Sequence, residues 1–600
     1  RDDSFLKPAL TAAVNRILAG GAFPGMTTRR ISDDFFPVSR AETEASGKIN
    51  HQLTTRNSLM LRFAFTNNRE AGDAFNTAGW TDPSARGSSF IRDQALVGSL
   101  TTVFNPRAVG DIRFQVSDRR AGLRTNDATG PGIEIAGLVN FGRPYEGNSR
   151  RTEKHDQVTY TYSSNIGHHL WKAGATVNHV HEDAAVQDGF GGLYIFANLS
   201  DFAAGQPNQF RQVFGAVPVK YAVTSYGAFV QDHWSLGRQL TIDAGVRYDF
   251  EDLPGIFHQD TNNISPRVGV AYHLLPTWIL RAGYGIFFDR YVLANLNRAI
   301  QKDGINAYEQ ISDTGVPTVL PSVYRADARL ATPYSQQSSL AVEHTIARDL
   351  TASATYLFVR GVKLSRTRNI NLLRLDPRFR DIFQLEDSAS STYHGASITL
   401  NRRMSNELEF SGSYTLSKTF DDASDFNEQP DNPFNLAAER ALSLQHQQQR
   451  LVFNALWELP IGDEEAGKPA EDNWINRIFG HIELAPIFTV ESGRPVNPLT
   501  GIDSNRTHAF PLSARPPGLG RNSLHTPLLA NVDFRILKYF PFGKAARLDL
   551  VGEAFNLFNR TNVTQINPIF GSGSTAQPGF LQPLAGSGAR RIQFSLDFEF

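Results

Sequence analysis

The segment QLTIDAGVRYDF, residues 239–250, alternates apolar and polar side chains along its whole length. Successive side chains of an extended strand point to opposite faces of a sheet, so this segment has one apolar and one polar face. The run is about as long as the 9–11 residues that a tilted strand needs to cross a bilayer. Strands of soluble proteins average about half that length. The segment therefore predicts a membrane-spanning strand.

The same alternation recurs along the chain, for example in ISPRVGVAY (264–272), WILRAGYGIFFD (278–289) and the terminal RRIQFSLDFEF (590–600). It predicts about nineteen strands. Their predicted bounds are 41–52, 56–66, 92–104, 108–119, 153–165, 168–181, 219–235, 238–251, 263–274, 277–289, 335–346, 349–360, 390–402, 406–419, 445–459, 477–491, 524–539, 544–557 and 589–600.

Short and long connections alternate between these strands. Short ones lie near 236–238, 274–277, 346–349 and 402–406, and long ones near 120–151, 182–218, 289–334, 361–388, 419–443, 492–521 and 558–587. Propellers and sandwiches have no reason to sort their loops in this way. Membrane barrels do, because short turns face the periplasm and long loops face outside. The chain is therefore predicted to be an all-β, transmembrane antiparallel β-barrel. One connection at the short-turn end, residues 460–478, is longer than its peers.

Composition and motifs exclude several classes of protein. The formal net charge is −1 and there is no cysteine. There is thus no basic surplus for nucleic acid, no disulfide framework and no cysteine-based metal centre. No apolar segment approaches the ~20 residues of a transmembrane helix. The sequence contains no H-E-x-x-H, G-x-S-x-G or P-loop motif, so neither an enzyme nor a cofactor is predicted.

An odd number of strands carries a topological expectation. A closed bacterial barrel has an even number of strands and both ends in the periplasm. Residues 1–40 are then expected to lie in an outside loop, with PALTAAVNRILAGG (8–21) forming a short helix. If the complete barrel has 22 strands, this sequence lacks three of them, and those three are expected before Arg1. The start at Arg1, without a targeting segment, suggests a processed or trimmed chain.

Several separate stretches resemble the TonB-dependent outer-membrane receptors, in particular their Oar-like branch. They include SYGAFVQDHWSLGRQLTIDAGVRYDF (225–250), STYHGASITLNRRMSNELEFSGSYTLSKTFDDASD (391–425) and RLDLVGEAFNLFNRTNV (547–563). The resemblance covers residues from about 40 to the end. It implies a 22-stranded barrel, a plug inside it, a TonB-contacting segment ahead of the plug and an N-terminal β-sandwich domain. Plug, TonB-contacting segment and sandwich are expected upstream of this sequence.

The resemblance also implies a function and partners. A receptor of this kind, in the outer membrane of a Gram-negative-type bacterium, takes up a bulky, scarce nutrient such as an oligosaccharide, a peptide or a metal chelate. Implied partners are TonB, the barrel-assembly machinery, outer-membrane lipid or lipopolysaccharide, and a surface lipoprotein as a further candidate. The terminal strand would be the assembly signal, carried by Phe594, Phe598 and Phe600.

Two sets of polar residues are candidate sites. Charged residues on the polar faces of strands would point into the lumen, where plug contact is favoured over substrate contact. They are Asp243, Arg247, Arg267, Arg281, Asp549 and Glu553. The motifs HVHED (179–183) and DDASD (421–425) offer His179, His181, Asp421, Asp422 and Asp425 as weak metal candidates. Two histidines do not complete a site and the aspartate spacing fits no EF-hand, so no metal is predicted.

Two other functions remain open at this stage. The barrel could be a structural or interaction protein whose outer loops bind a surface lipoprotein or another partner. It could also be a passive porin, which would conduct ions steadily.

Overall fold

The computed structural model describes residues 7–21, 29–32, 34, 36–75, 80–313, 320–405, 407–461, 478–542 and 546–600. Nineteen long strands dominate it. They are β1 (Ser39–Thr54), β2 (Asn57–Ala74), β3 (Gly87–Asn105), β4 (Ala108–Thr125), β5 (Ser149–Ile166), β6 (His169–Val186), β7 (Pro218–Leu236), β8 (Leu240–Asp252), β9 (Ile264–Leu275), β10 (Trp278–Phe288), β11 (Tyr334–Ala347), β12 (Leu350–Asn369), β13 (Ile382–Ser405), β14 (Leu408–Asp421), β15 (Gln449–Glu458), β16 (Ile482–Glu491), β17 (Leu529–Phe542), β18 (Ala546–Phe555) and β19 (Arg591–Glu599).

Each long strand pairs antiparallel with the next one in the sequence, from β1 through to β19. Two short strands, Val323–Ala326 and Ala441–Leu442, add to β13 and β14. Within the described residues, β1 and β19 each pair with a single neighbour. The predicted large antiparallel sheet is confirmed.

Several predicted strand bounds were too short. The strand predicted at 349–360 runs over Leu350–Asn369, and the one predicted at 390–402 runs over Ile382–Ser405. These strands continue past the lipid-facing run into the region of the long connections. There Ile382, Phe383 and Leu385 are buried beside polar residues, and the strict alternation disappears. Conversely, the strand predicted at 524–539 begins at Leu529, since 524–525 form a separate short strand.

One face of the sheet carries an exposed apolar band. On β7, Tyr226, Val230 and Trp234 are 37–43% exposed, and their cross-strand partners on β8 are Phe250, Val246 and Ile242. Soluble monomers rarely expose contiguous apolar patches above a few hundred Å². A face of this kind, continued over strand after strand, requires an apolar solvent. We call it the outward face and the opposite one the inward face.

The connections alternate in length as predicted. Joints between β1 and β2, β3 and β4, or β5 and β6 comprise the residue pairs 55–56, 106–107 and 167–168. The intervening connections are long, for example 126–148, 187–217, 289–333 and 492–528. Because the strands are antiparallel neighbours, these long connections lie at the same end of the sheet. Most of the long connection at the other end, 460–478, falls outside the described residues.

The long connections build a second, smaller sheet, which we call the cap sheet. It contains six strands drawn from four connections. In spatial order they are Ala307–Ser312, Gln209–Gly215, Leu193–Phe196, Gly132–Ile135, Val139–Gly142 and Trp80–Thr81. Two of the pairings are parallel, those of 193–196 with 132–135 and of 80–81 with 139–142. Two further strand pairs, Pro495–Val496 with Leu524–His525 and Val563–Ile566 with Pro583–Gly586, lie in later connections.

Helices are few. The described residues include α1 (Lys7–Ala19), α2 (Leu199–Ala203) and α3 (Leu293–Gln301), with 3₁₀ turns at Pro83–Ala85 and Leu436–Glu439. On α1, Val14 and Leu18 are fully buried in one core with Ile133, Phe141 and Phe196 of the cap sheet region. This places α1 at the long-connection end. No helix in the described part of the chain is long and apolar enough to span a membrane.

Connections from the two halves of the chain share a second core. Leu193 and Ile195 of the cap sheet are buried against Ile502 and Ile569 from the connections that follow β16 and β18. The β6–β7 and β16–β17 connections are ten strands apart, which is roughly 48 Å in a flat sheet with strands ~4.8 Å apart. Their contact therefore fits a sheet that curls, so that the long connections meet above its inward face. We call this assembly of long connections and α1 the cap.

Candidate functional site

The predicted lumen residues all lie on the inward face. The register pairs Arg247 with Phe229, Arg267 with Gly245 and Asp243 with Gly269. Along each strand these positions alternate with those of the apolar band, so their side chains lie on the opposite face. Asp243, Arg247 and Arg267 line one depression of about 540 Å³ in this inner wall, which we call the wall niche.

The other three predicted lumen residues lie elsewhere on the inward face. Arg281 lies beyond the niche, 4.0 Å from Glu343. Asp549 is buried with an Arg547 nitrogen 3.3 Å away, and Glu553 stands opposite Arg535 on β17. The structure thus brings three of the six together.

Glycines shape the wall niche. Gly245, Gly269, Gly283 and Gly285 line it, so neighbouring strands present little more than backbone to the interior. A Cβ at Gly285 would meet the Phe287 ring at 2.8 Å, because that ring lies against the wall at this point. The glycines of AGYGIFF therefore serve close packing, as a glycine inside a strand usually does.

The two arginines of the niche differ in their charge balance. Arg247 is held by Asp249, with Nε–Oδ1 and Nη2–Oδ1 distances of 2.8 and 2.7 Å. Arg267 places its guanidinium 4.3 Å from the centre of the Phe287 ring. Among the described residues no carboxylate oxygen lies within 4.0 Å of Arg267, so its positive charge is uncompensated. The niche therefore offers a flat, aromatic-backed cation to whatever occupies the lumen.

A buried ion pair holds the cap sheet. Arg211 and Glu309 are both fully buried, with Nε–Oε1 at 2.8 Å and Nη2–Oε2 at 3.0 Å. The Tyr145 hydroxyl donates to Glu309 at 2.9 Å, and the Phe510 ring lies 4.3 Å from the Arg211 guanidinium. Four long connections contribute these residues, 126–148, 187–217, 289–333 and 492–528.

The charges in this cluster shift one another's ionisation. Burial opposes ionisation of Glu309, but Arg211 and Lys302 outweigh it and lower the pKa of Glu309 to about 2. Burial lowers the pKa of Lys302 to about 8, although Glu309 and Asp188 counteract it. At neutral pH the pair of Arg211 and Glu309 is therefore fully ionised. It joins two separate connections by charge as well as by packing.

A second buried cluster centres on His508. Its Nδ1 is 2.7 Å from Asp381 and its Nε2 is 3.3 Å from Asp313. Burial would lower the pKa of His508, but the hydrogen bonds to Asp313 and Asp381 outweigh it and raise the pKa to about 9. The imidazole is therefore protonated at neutral pH and links 492–528 to two other connections.

Asp313, Asp503 and His508 lie close enough together to raise the question of a metal. The Arg380 guanidinium already occupies the cation position, at 2.7 Å from Asp313. Both Asp503 oxygens accept hydrogen bonds, from the backbone of Thr507 and His508 among others. With Arg380 bound to Asp313 and His508 bound to Asp381, these groups form an ion-pair network in this structure.

The weak metal candidates are dispersed. His179 and His181 are exposed on the outward face of β6, and His179 contacts the Thr224 hydroxyl at 3.0 Å. Asp421 is bound by Arg521 at 2.7 Å and Asp422 by Arg366 at 2.6 Å. Asp425 accepts a hydrogen bond from the backbone of Asn427. Each aspartate has its own protein donor, and the three do not converge on a common point.

Phe594 and Phe598 lie on the outward face of β19, and Phe600 follows the last residue of that strand. Phe594, Phe598 and Phe600 are 82%, 59% and 97% exposed. Sequence reasoning missed the cap clusters entirely. The stretches QFRQVFG (209–215) and AYEQIS (307–312) contain aromatic and β-branched residues that favour strands, and that signal could have drawn attention to Arg211 and Glu309.

The chain matches a known protein family over nearly its whole length. The profile of the family described as "Outer membrane beta barrel domain" matches residues 12–255 and 253–593. A curated relative, the TonB-dependent transporter Oar of Myxococcus xanthus, is 26% identical over 287 residues. That match covers 42% of this chain and 25% of the relative.

Solved outer-membrane receptors share the fold. The transporter YddB from Escherichia coli aligns with a TM-score of 0.62 and 13% identity, over 94% of this chain and 69% of its own. The ferripyoverdine receptor of Pseudomonas aeruginosa aligns with a TM-score of 0.61 and 11% identity, over 94% of this chain and 65% of its own. BauA, the ferric preacinetobactin receptor from Acinetobacter baumannii, aligns with a TM-score of 0.56 and 10% identity, over 94% of this chain and 73% of its own. This chain thus spans about two thirds to three quarters of these proteins.

These alignments confirm the predicted transmembrane antiparallel β-barrel, and the named relatives are transporters and receptors. The outward apolar band, the strand order and the profile match all indicate the outer membrane of a Gram-negative-type bacterium. The chain belongs to the outer membrane β-barrel domain family and resembles its TonB-dependent, Oar-like receptors.

Proposed function

We propose that this barrel takes up a bulky, scarce nutrient as part of a TonB-dependent receptor, without catalysing a reaction. The short turns would face the periplasm, and the cap would face the outside. An oligosaccharide, a peptide or a metal chelate would be captured by the cap and admitted when TonB acts on a plug. The named relatives are transporters and receptors, which supports this class of function.

The observation that carries the proposal is the convergence of distant connections over the inward face. The Gln209 amide donates to Asp503 at 3.2 Å, and the Asn567 amide donates to the Gly137 carbonyl at 3.1 Å. These bonds link the β6–β7 connection to the β16–β17 connection, and the β4–β5 connection to the β18–β19 connection. Connections that cross the opening suit selective capture, whereas a passive porin needs an open path for ions.

The wall niche supports a lumen that binds rather than merely conducts. The uncompensated Arg267 and the glycine-lined depression would receive an anionic or planar group of a plug or of a substrate. Plug contact is the simpler assignment, since a barrel wall and a plug must pair many polar groups. Phe594, Phe598 and Phe600 would serve assembly by the barrel-insertion machinery.

Uptake by matched strains tests the proposal. The wild type, a deletion of the receptor gene and a tonB deletion would be offered labelled oligosaccharides, peptides and ferric chelates. We expect at least one probe to enter the wild type and to be excluded from both deletion strains. Uptake that depends on the receptor gene but survives loss of tonB would contradict TonB dependence. Steady ion conductance of the full-length protein in a planar bilayer would instead indicate a porin.

A further inference from the structure

A second depression in the inner wall lies where β16–β19 meet their long connections. Its volume is about 660 Å³, within the range of about 300–1,000 Å³ that is usual for small-molecule sites. It shares no residue with the wall niche, and we call it the polar recess. Arg535 of β17 faces inward, so Asn531 and Asp533, at alternate positions of the same strand, face inward too. The inward side chains that line the recess are Thr489, Glu491, Asn531, Asp533, Phe555 and Arg591.

Asparagine side chains fix the rim of the recess. The Asn562 amide accepts a hydrogen bond from the Ala530 N–H at 3.0 Å and donates one to the Ala530 carbonyl at 2.9 Å. The Asn556 amide donates to the Gly588 carbonyl at 3.1 Å, and the Asn556 backbone N–H donates to Asp533 Oδ1 at 2.8 Å. The β18–β19 connection is therefore tied to β17. The recess is thus preorganised, which lowers the cost of ordering it around a ligand.

Several polar groups in the recess are left for a ligand. Asp533 uses only Oδ1, which also accepts a hydrogen bond from the Asn531 amide at 2.9 Å. Within the described residues, no protein donor reaches Asp533 Oδ2, Asn531 Oδ1 or the Thr489 hydroxyl. The Arg591 guanidinium lies 4.7 Å from the centre of the Phe555 ring, and no described carboxylate oxygen lies within 4.0 Å of it. The recess therefore presents free acceptors from β16 and β17 and a free donor from β19.

These groups require a ligand that both donates and accepts hydrogen bonds. A carboxylate oxygen only accepts, and a guanidinium only donates. Glu491 is already bound by Arg450 at 2.8 Å, so Asp533 and Arg591 leave the recess with no surplus of either charge. A hydroxyl group donates and accepts at once, and a sugar ring carries several of them side by side. An anionic chelate would instead be repelled by the Asp533 carboxylate.

We propose that the polar recess binds a sugar unit of a neutral oligosaccharide. Asp533 Oδ2 and Asn531 Oδ1 would accept hydrogen bonds from its hydroxyl groups, and Arg591 would donate to its oxygens. The recess lies beside the long connections, at the end of the lumen that a ligand from outside reaches first. The inference rests on the proposed function and narrows its nutrient to one class, the oligosaccharides.

Titration calorimetry of the full-length protein in detergent tests the inference. The probes are short neutral oligosaccharides of glucose, xylose, mannose and galactose, each with its fully O-methylated counterpart. We expect at least one oligosaccharide to bind and its O-methylated form to bind at least about tenfold more weakly, because a site built for hydroxyl donors is left unpaired without them. Failure of all the unmodified sugars to bind would overturn the inference, and so would equal binding of the methylated form.

Variants locate the site. Asp533→Asn keeps an oxygen for the Asn556 N–H but removes the free anionic acceptor, and we expect it to lower the affinity for the sugar at least about tenfold. Arg591→Gln should weaken binding similarly. The matched control is Asp93→Asn, which removes an inward carboxylate of β3 that lies opposite Arg119, outside the recess. It should change the affinity less than twofold.

Heat-modifiable electrophoretic mobility checks that each variant barrel is folded. Unchanged affinity in both folded recess variants, or an equal loss in the control, would overturn the assignment of the site. The inference and the proposed function can fail separately. TonB-dependent uptake of a peptide or a ferric chelate, with no sugar bound, would retain the proposed function and overturn the inference. Sugar binding that Asp533→Asn abolishes, together with uptake that survives loss of tonB, would retain the site and contradict the proposed function.

Discussion

The Glu309→Gln variant tests whether the buried ion pair holds the cap together. Glu309 and Arg211 are both fully buried and share two hydrogen bonds. The amide keeps the size of the side chain but leaves the Arg211 guanidinium as an uncompensated buried charge. Removing one partner of a buried pair costs about 3–5 kcal/mol. Because each 1.36 kcal/mol is a factor of ten, opening of the cap sheet should become roughly two to nearly four orders of magnitude more frequent.

Hydrogen exchange of the folded, full-length protein is the measurement. Amides of Gln209–Gly215 and Ala307–Ser312 pair with each other and should lose protection by that factor, whereas amides of β8 and β9 should be unchanged. Lowering the pH tests the same charge independently. The pKa of Glu309 in the folded protein, about 2, lies below its ordinary value of 4.5. The stabilisation by the Glu309 carboxylate is therefore complete above pH 4.5 and is lost as the pH falls towards 2. The variant should lack this acid dependence.

A double variant separates charge from packing. Arg211→Met/Glu309→Leu removes both charges while keeping similar volumes, and such replacements are often neutral or stabilising. We expect protection of the cap sheet to return to within tenfold of the wild type. Protection that stays within threefold of the wild type in Glu309→Gln alone would refute the reasoning. A double variant as unprotected as the single one would show that shape, and not the unpaired charge, determines the loss.

Three further outcomes follow from other contacts. The raised pKa of His508, about 9, means that its ion pairs stabilise the cap fully below pH 6.5 and are lost as the pH rises through 9; exchange of amides 500–510 should show this, and His508→Gln should not. If an anionic group of the plug pairs with Arg267, Arg267→Gln should remove a charged hydrogen bond worth ~1.5 kcal/mol and make detachment of the plug about tenfold more frequent, as hydrogen exchange of the full-length protein would show; Arg281→Gln, beside Glu343, should change it less than twofold. Phe600→Ser should reduce the folded barrel in membrane fractions several-fold, and Phe558→Ser, also largely exposed but in a connection, should not; equal effects would argue against a terminal assembly signal.

The barrel could be predicted from the sequence because its strands obey a local rule. Each strand faces lipid on one side, so apolar residues recur at every second position, as in Ile242, Ala244, Val246, Tyr248 and Phe250 of β8. Pairing follows chain order, so no long-range choice is needed to build the sheet. The rule fails where strands rise beyond the lipid. Asn369 and Ile382, the ends of β12 and β13 nearest the cap, lie in strands of the structure, whereas the sequence pattern predicts a loop for both.

The cap could not be predicted because its order is not local. Its strands have two to seven residues, and two pairings are parallel and bring together segments about 60 residues apart. The contacts that close it join residues still farther apart, such as Gln209 with Asp503 and Gly137 with Asn567. No periodicity records such a choice of partner. A buried Arg211 also runs against the expectation that charged residues remain exposed.

The difference between the local order of the barrel and the non-local order of the cap explains why the cap contains buried charges. Apolar residues could fill its interior equally well, and a buried ion pair adds little stability over them. Apolar contacts are not directional, however, and several long connections meet at one end of the barrel. Arg211 can satisfy Glu309 only in one register, and His508 can satisfy Asp313 and Asp381 only in one position of its connection. The ion pairs thus select which connections meet, while the two apolar cores supply the free energy that holds them.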